Sequence, residues 1–195
     1  MLNDRSSAIS LLETRRSGKP REMVPPGPSD EELRQILRVA MRVPDHGKLS
    51  PWRFVVVGKD QREHLAVLLH KALQAEDECA GPAHHEKEDE FARQGETLIV
   101  LVSSPIPGHK IPVWEQELSA GAAAMNLLTA AHAMGYVGGW ITGWRAYSPM
   151  VNAAFAAPGE RIAGFVFIGS PGRDLDERPR PDPAQIVKKW APPVD

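Results

Sequence analysis

Residues 97–102 read TLIVLV, six positions with one hydroxyl and no alternation of apolar with polar. A strand of this kind is buried on both faces, so covering layers must lie on each side of it. Two more apolar runs, residues 53–57 (RFVVV) and 162–168 (IAGFVFI), read as strands of the same sheet, and residues 137–142 as a further short one. Helical patterns supply the covering layers. Ser29 and Glu32 form a capping box, after which Leu33, Ile36, Leu37, Ala40 and Met41 recur at helical spacing until Pro44. Residues 8–15 read as a short helix and 61–75 as an amphipathic one. Residues 84–94 read as a charged, solvated helix. Another short helix opens at Ser148-Pro149.

Residues 113–134 make the longest helical pattern, and Gly135 stands where a C-terminal cap belongs. Ser119, Ala120, Gly121, Ala122, Ala123 and Ala124 leave that helix almost without bulk. Such a surface admits close approach by another helix or by a flat ligand. It suits an interior helix and equally the centre of a dimer interface. From Pro171 onward six prolines and many charges appear while apolar residues thin out. That tail has no core of its own, and a partner subunit could hold it. With 195 residues the expectation is one domain, α/β or α+β around one central sheet.

The formal net charge of −2 offers no basic field for nucleic acid. Cys79 is the only cysteine, which excludes an internal disulfide and a cysteine-based zinc site. Its acidic neighbours Glu76, Asp77 and Glu78 argue against a nucleophilic thiolate. No signal peptide opens the sequence, and its least polar segment is too polar for a membrane span. A cytoplasmic protein is therefore expected.

Three stretches carry chemistry. TRRSGK, residues 14–19, sets two arginines, a serine and a lysine in six positions. Guanidinium groups make paired, charge-assisted bonds to phosphate; the same cations could instead only favour a helix C-terminus. RVPDHGKLSPWRF, residues 42–54, loads Arg42, Asp45, His46 and Lys48 onto a loop stiffened by two prolines. GYVGGW, residues 135–140, lacks the order of a dinucleotide-binding fingerprint and follows a helix, so that reading is rejected. Its glycines leave backbone open beside Trp140, where a planar ligand could lie. His84, His85 and Glu88 lack a third metal ligand, and no metal site is expected.

Taken in register, these stretches resemble the nitroreductase family of flavin enzymes, especially its short bacterial members. The likeness runs from LLETRRSGK through ILRVAMRVPDHGKLSPWRFVVV and IPVWEQELSAGAAAMNLLTAAHAMGYVGGWITG to IAGFVFIGSP. It implies an α+β fold with a central, mostly antiparallel sheet flanked by helices. It also implies a homodimer in which residues 171–195 pack on the partner, with FMN held at the subunit interface. NADH or NADPH would be the electron donor. By the same resemblance Arg15, Arg16 and Ser17 match the segment at the FMN phosphate and ribityl chain. Arg42 and His46 match flavin contacts that reach across to the partner's cofactor, and Trp140, Ile141 and Thr142 match the turn against the ring. Arg180, or Arg178, is the tail cation for the phosphate. The implied activity passes a hydride through flavin N5 to a nitroaromatic, a quinone or a similar small acceptor by a ping-pong mechanism. No side chain is required as acid or base. Two departures stand out: larger relatives carry Pro-Ser and Asn where this chain has Pro44, Asp45 and His46, and the short branch more often has a basic residue where Ile141 stands. A same-fold oxidase using oxygen, a non-catalytic flavin-binding dimer and a flavin-free structural dimer are the alternatives.

Overall fold

The structure, a computed structural model, describes residues 1–193; the last two residues of the expected tail, 194–195, lie outside the described residues. Helix α1 (Ala8–Thr14) is capped by Ser7, whose hydroxyl accepts the Ser10 amide. A two-residue strand β1 (Met23–Val24) follows. Helix α2 (Asp30–Ala40) opens on the expected capping box: Ser29 Oγ accepts from the Glu32 amide at 3.3 Å, and Glu32 Oε2 accepts from the Ser29 amide at 2.8 Å. It ends at Ala40, ahead of Pro44. The Asn126 amide donates to the carbonyls of Val39 and Arg42 and so satisfies two acceptors at that end. Next come β2 (Trp52–Val57), α3 (Arg62–Glu76), α4 (Pro82–Arg93) and β3 (Thr97–Ser103). The chain continues through α5 (Val113–Ala133), β4 (Val137–Ile141), α6 (Pro149–Phe155), β5 (Arg161–Pro171) and a single turn α7 (Pro183–Ile186).

All strand pairings are antiparallel, in the order β1-β5-β3-β2, with β4 on the other side of β5. The fold is α+β. Every residue from Leu98 to Val102 is fully buried, as an unbroken apolar strand requires. Leu98, Val100, Phe165 and Phe167 pack with Leu65, Leu69, Ala72 and Phe91 of α3 and α4. Ile99, Val166 and Ile168 face the other way, onto Ile36, Leu127 and Ala131 of α2 and α5. At about 1.5–3 kcal/mol for each buried large side chain, these two layers dominate stability.

Helix α4 corrects an expectation. It is not wholly solvated: Glu88, Phe91 and Ala92 are buried. The Glu88 carboxylate takes both ends of the Arg145 guanidinium, which also lies 4.1 Å from the Phe91 ring centroid. A stripe made of one ring, one alanine and one paired acid is too narrow to show among seven other charged or imidazole side chains. Helix α5 ends as expected, with Gly135 at φ +96° and the Tyr136 amide bonded to Ala131 O at 3.0 Å. Among the described residues no helix is long and apolar enough to cross a membrane.

Candidate functional site

The arginine-rich segment leaves α1 in an extended conformation at Arg15 and runs onto the start of β4. The Gly18 amide donates to Gly138 O at 3.1 Å. Glycine is needed at the crossing, since a Cβ on Gly139 would lie 2.6 Å from Gly18 O. Asn3 holds the segment from the outside: its Oδ1 accepts the Arg16 amide at 2.7 Å and its Nδ2 donates to Arg16 O at 3.2 Å. The tail returns to the same place within one chain. Arg16 Nε donates to Asp176 O at 2.8 Å, and Arg180 Nη2 donates to Arg15 O at 3.2 Å. Leu175 packs on the core of its own subunit, whereas Ile186, Val187 and Trp190 further along stay exposed.

Arg15 thus lies within the field of three other arginines, of which Arg180 is itself paired with Glu177 at 3.1 Å. Burial lowers the Arg15 pKa, Arg180, Arg16 and Arg178 lower it further, and among the described residues only Glu177 opposes. Arg15 Nε is buried without an acceptor among the described residues. Concentrated cations with an unused buried donor are the complement of a phosphate group.

Trp140, Ile141 and Thr142 sit at the far end of β4. The Trp140 ring folds along β5, where Nε1 donates to Ala163 O at 3.1 Å. Gly164 makes room for it: a Cβ there would lie 1.9 Å from the indole nitrogen. Trp140 and Thr142 line an open cavity of about 510 Å³ with Ala120, Gly121, Ser103 and Tyr147. The Ser103 hydroxyl is buried there and has no partner among the described residues.

The Arg42–His46 loop lies elsewhere. Glu115, Ser119 and Asn126 share one side of α5 and staple the loop to it. His46 Nδ1 and Glu115 Oε2 are 2.7 Å apart, Ser119 Oγ donates to Pro44 O at 2.7 Å, and Asn126 holds Arg42 O at 3.2 Å. Asp45 accepts the amides of Leu49 and Ser50 at 3.0 and 2.8 Å. It thereby supports Lys48 and Ser50 at φ +56° and +48°, a conformation that costs a non-glycine residue about 1–3 kcal/mol. Leu128 and His132, which reach β4 at Gly138, lie on nearly the opposite side of the helix. No hydrogen bond or ion pair among the described residues joins the loop to Arg15, Arg16, Ser17 or Trp140. One chain therefore brings Arg15, Arg16, Ser17 and Arg180 together, sets Trp140, Ile141 and Thr142 along the same strand, and keeps Arg42 and His46 apart. Sequence reasoning missed Asn3, Glu115, Ser119 and Asn126. The last three recur at positions i, i+4 and i+11 of α5, a helical spacing that marks a shared side but not what it holds.

The fold defines a class, the nitroreductase-like α+β proteins. The nitroreductase family model matches residues 12–170, and the chain belongs to that family. YdjA of Escherichia coli K12, whose name describes it provisionally as an NAD(P)H nitroreductase, is 35% identical over 168 residues, covering 84% of this chain and 88% of YdjA. A nitroreductase-like family protein from Bacillus cereus superposes with a TM-score of 0.80 at 19% identity, over 95% of this chain and 96% of that one. A Desulfovibrio desulfuricans protein solved in complex with FMN superposes with a TM-score of 0.69 at 21% identity, over 94% and 97% of the two chains.

Proposed function

We propose that this chain is an FMN-dependent NAD(P)H oxidoreductase acting on a small acceptor such as a nitroaromatic or a quinone. The observation that carries this reading is the Arg15 cluster, with a buried donor that no described residue uses and Glu177 as the one opposing carboxylate among the described residues. Family membership and the FMN-bound relative support it. Bound FMN supplies two-electron redox chemistry; the protein supplies position and charge. Arg15, Arg16, Ser17 and Arg180 would hold the phosphate, which needs balancing positive charge and several donors. Trp140, Ile141 and Thr142 offer an open strand end and an indole against which a planar ring can rest.

Arg42 and His46 complete the site only from a second copy of the chain, because α5 separates them from the strand within one copy. A homodimer is supported by an exposed stripe along α5: Trp114, Leu118 and Met125, with Gly121 and Ala122 between them. Contiguous exposed apolar residues mark interfaces where the patch is large. Ile186, Val187 and Trp190 give the end of the tail a reason to lie on the partner. Arg42 would place a fixed cation beside the ring and favour its reduced form. With donor and acceptor using one open face in turn, kinetics are ping-pong, and no side chain need act as acid or base.

Steady-state rates at several fixed acceptor concentrations test this. Parallel double-reciprocal lines are expected, and intersecting lines would exclude the shared face. Protein that remains colourless after added FMN would exclude the cofactor.

A further inference from the structure

Where α3 packs against α4, two imidazoles meet. The Nδ1 atoms of His70 and His85 are 3.1 Å apart, and the ring centroids are 4.7 Å apart with the planes tilted by 38°. On the far side of the His70 ring, Nε2 is buried and stands 3.2 Å from Asp89 Oδ1, an ion-pair contact. Asp89 lies one turn beyond His85 on α4. The pattern around His85 offers no metal site within α4; the second imidazole comes from α3, 15 positions back in sequence.

One of the two Nδ1 atoms must carry a proton for the pair to be a hydrogen bond. In a neutral His70 ring, a proton on Nδ1 would turn the Nε2 lone pair toward the Asp89 carboxylate, and the two would repel. The carboxylate therefore keeps the His70 proton on Nε2, and His70 Nδ1 presents a lone pair to His85. Arg93 does not take the Asp89 charge for itself. Its guanidinium is 3.5 Å from the same oxygen but bonds both oxygens of Glu63, at 2.9 Å each. Imidazoles that ligate a metal through one nitrogen almost always face a carboxylate, a carbonyl or water with the other. His70 already has that arrangement.

The spacing fits as well. Two nitrogens on one tetrahedral zinc, bound at about 2.0–2.1 Å, stand about 3.3–3.4 Å apart. The His70–His85 pair is within a few tenths of an ångström of that separation. Its centroids are closer than two rings meeting head-on would set them, so the nitrogen axes are bent from the line between them. A shared ion requires that bend; a hydrogen bond merely tolerates it. Both rings are partly exposed, so water can reach the remaining coordination positions.

We propose that His70 and His85 bind one divalent transition-metal ion of the zinc class through their Nδ1 atoms, with Asp89 holding His70 from behind. The His85 proton passes from Nδ1 to Nε2 through solvent, which frees the second ligand. Among the described residues no third His, Cys, Asp or Glu completes the set, and water fills the other positions. An open site with two protein ligands binds more weakly than a closed structural site, and micromolar affinity is expected. The ion would tie α3 to α4. None of the residues assigned to FMN takes part, so the proposal does not depend on the cofactor reading.

The test is a zinc chloride titration of the full chain, loaded with FMN, free of any affinity tag and in phosphate-free buffer. At about pH 7.5, above the ordinary histidine pKa, nitrogen-15 NMR of the histidine rings follows it. The metal-free spectrum should show the His70 proton on Nε2. Zinc should then move the His70 and His85 Nδ1 signals together, along one saturation curve at one ion per chain and with unchanged FMN content. Magnesium, which prefers oxygen ligands, should move neither. His85→Gln should abolish the His70 response, and Asp89→Asn should weaken zinc binding about tenfold, as loss of such a supporting group does. Four results would overturn the proposal: no saturable shift of the two rings with zinc; the same shift with magnesium; a His70 response that survives His85→Gln; or equal zinc affinity in Asp89→Asn.

Discussion

Arg15 is the residue that the fold alone explains least. Its side chain is drawn into the protein beside three other arginines, and its Nε finds no acceptor among the described residues. A residue serving only the helix dipole would point to water. Arg15→Gln removes the charge and the fork together, and FMN affinity should fall about 10- to 100-fold, the worth of one charge-assisted bond of about 1.5–3 kcal/mol. Flavin-fluorescence titration measures this; an unchanged dissociation constant would remove Arg15 from the phosphate site. Arg42 makes the opposite prediction. Because it would act on the ring and not on the phosphate, Arg42→Ala should keep most of the FMN affinity while its reduction potential drops. Spectroelectrochemistry decides, and an unchanged potential would deny Arg42 that role.

At the scale of elements, the arginine segment is held in place by lying on β4 through Gly18 and Gly139. Gly139→Ala puts a methyl 2.6 Å from Gly18 O, a backbone atom that can move only with its segment. FMN affinity should fall at least about tenfold while far-ultraviolet circular dichroism keeps the sheet signal. Retained affinity would mean that the segment does not need the strand. This scale also shows how far the sequence could be read. The capping box at Ser29, the buried run at 97–102 and the cap at Gly135 are local signals, and each reappears in the structure within one or two residues. Strand β1 was illegible because two residues carry no period. The buried side of α4 is not legible locally, because its buried acid is neutralised by Arg145, 57 positions away in sequence. The Arg15 cluster was visible as composition, yet Asn3, which holds it, looks like any terminal asparagine until the chain folds back.

For the whole molecule, α5 is both spine and proposed seam. One side staples the Arg42–His46 loop, another fills the core, and a third leaves Trp114, Leu118 and Met125 in water. Leu118→Glu places a charge in the proposed seam, and light scattering should then find a monomer with weakened FMN binding. A dimer of unchanged affinity would place the interface elsewhere. Global stability should also carry the mark of His132. Its pKa is about 4 in the folded protein against about 6.5 when unfolded, so the unfolded chain binds the extra proton between those values. Stability is full above pH 6.5 and falls by about 3 kcal/mol as pH drops to 4. His132→Gln keeps an acceptor for Gly138 and should lose that portion of the slope in urea unfolding at stepped pH. A slope identical to wild type would deny the buried neutral imidazole.

The most direct measurement is the visible absorption spectrum of the purified protein, loaded with FMN and then given NADH or NADPH without oxygen. A flavin spectrum at one FMN per chain, bleached by at least one of the two donors and restored by a quinone or nitroaromatic, is what this account predicts. Protein that takes up no FMN, or whose bound FMN neither donor bleaches, would contradict it.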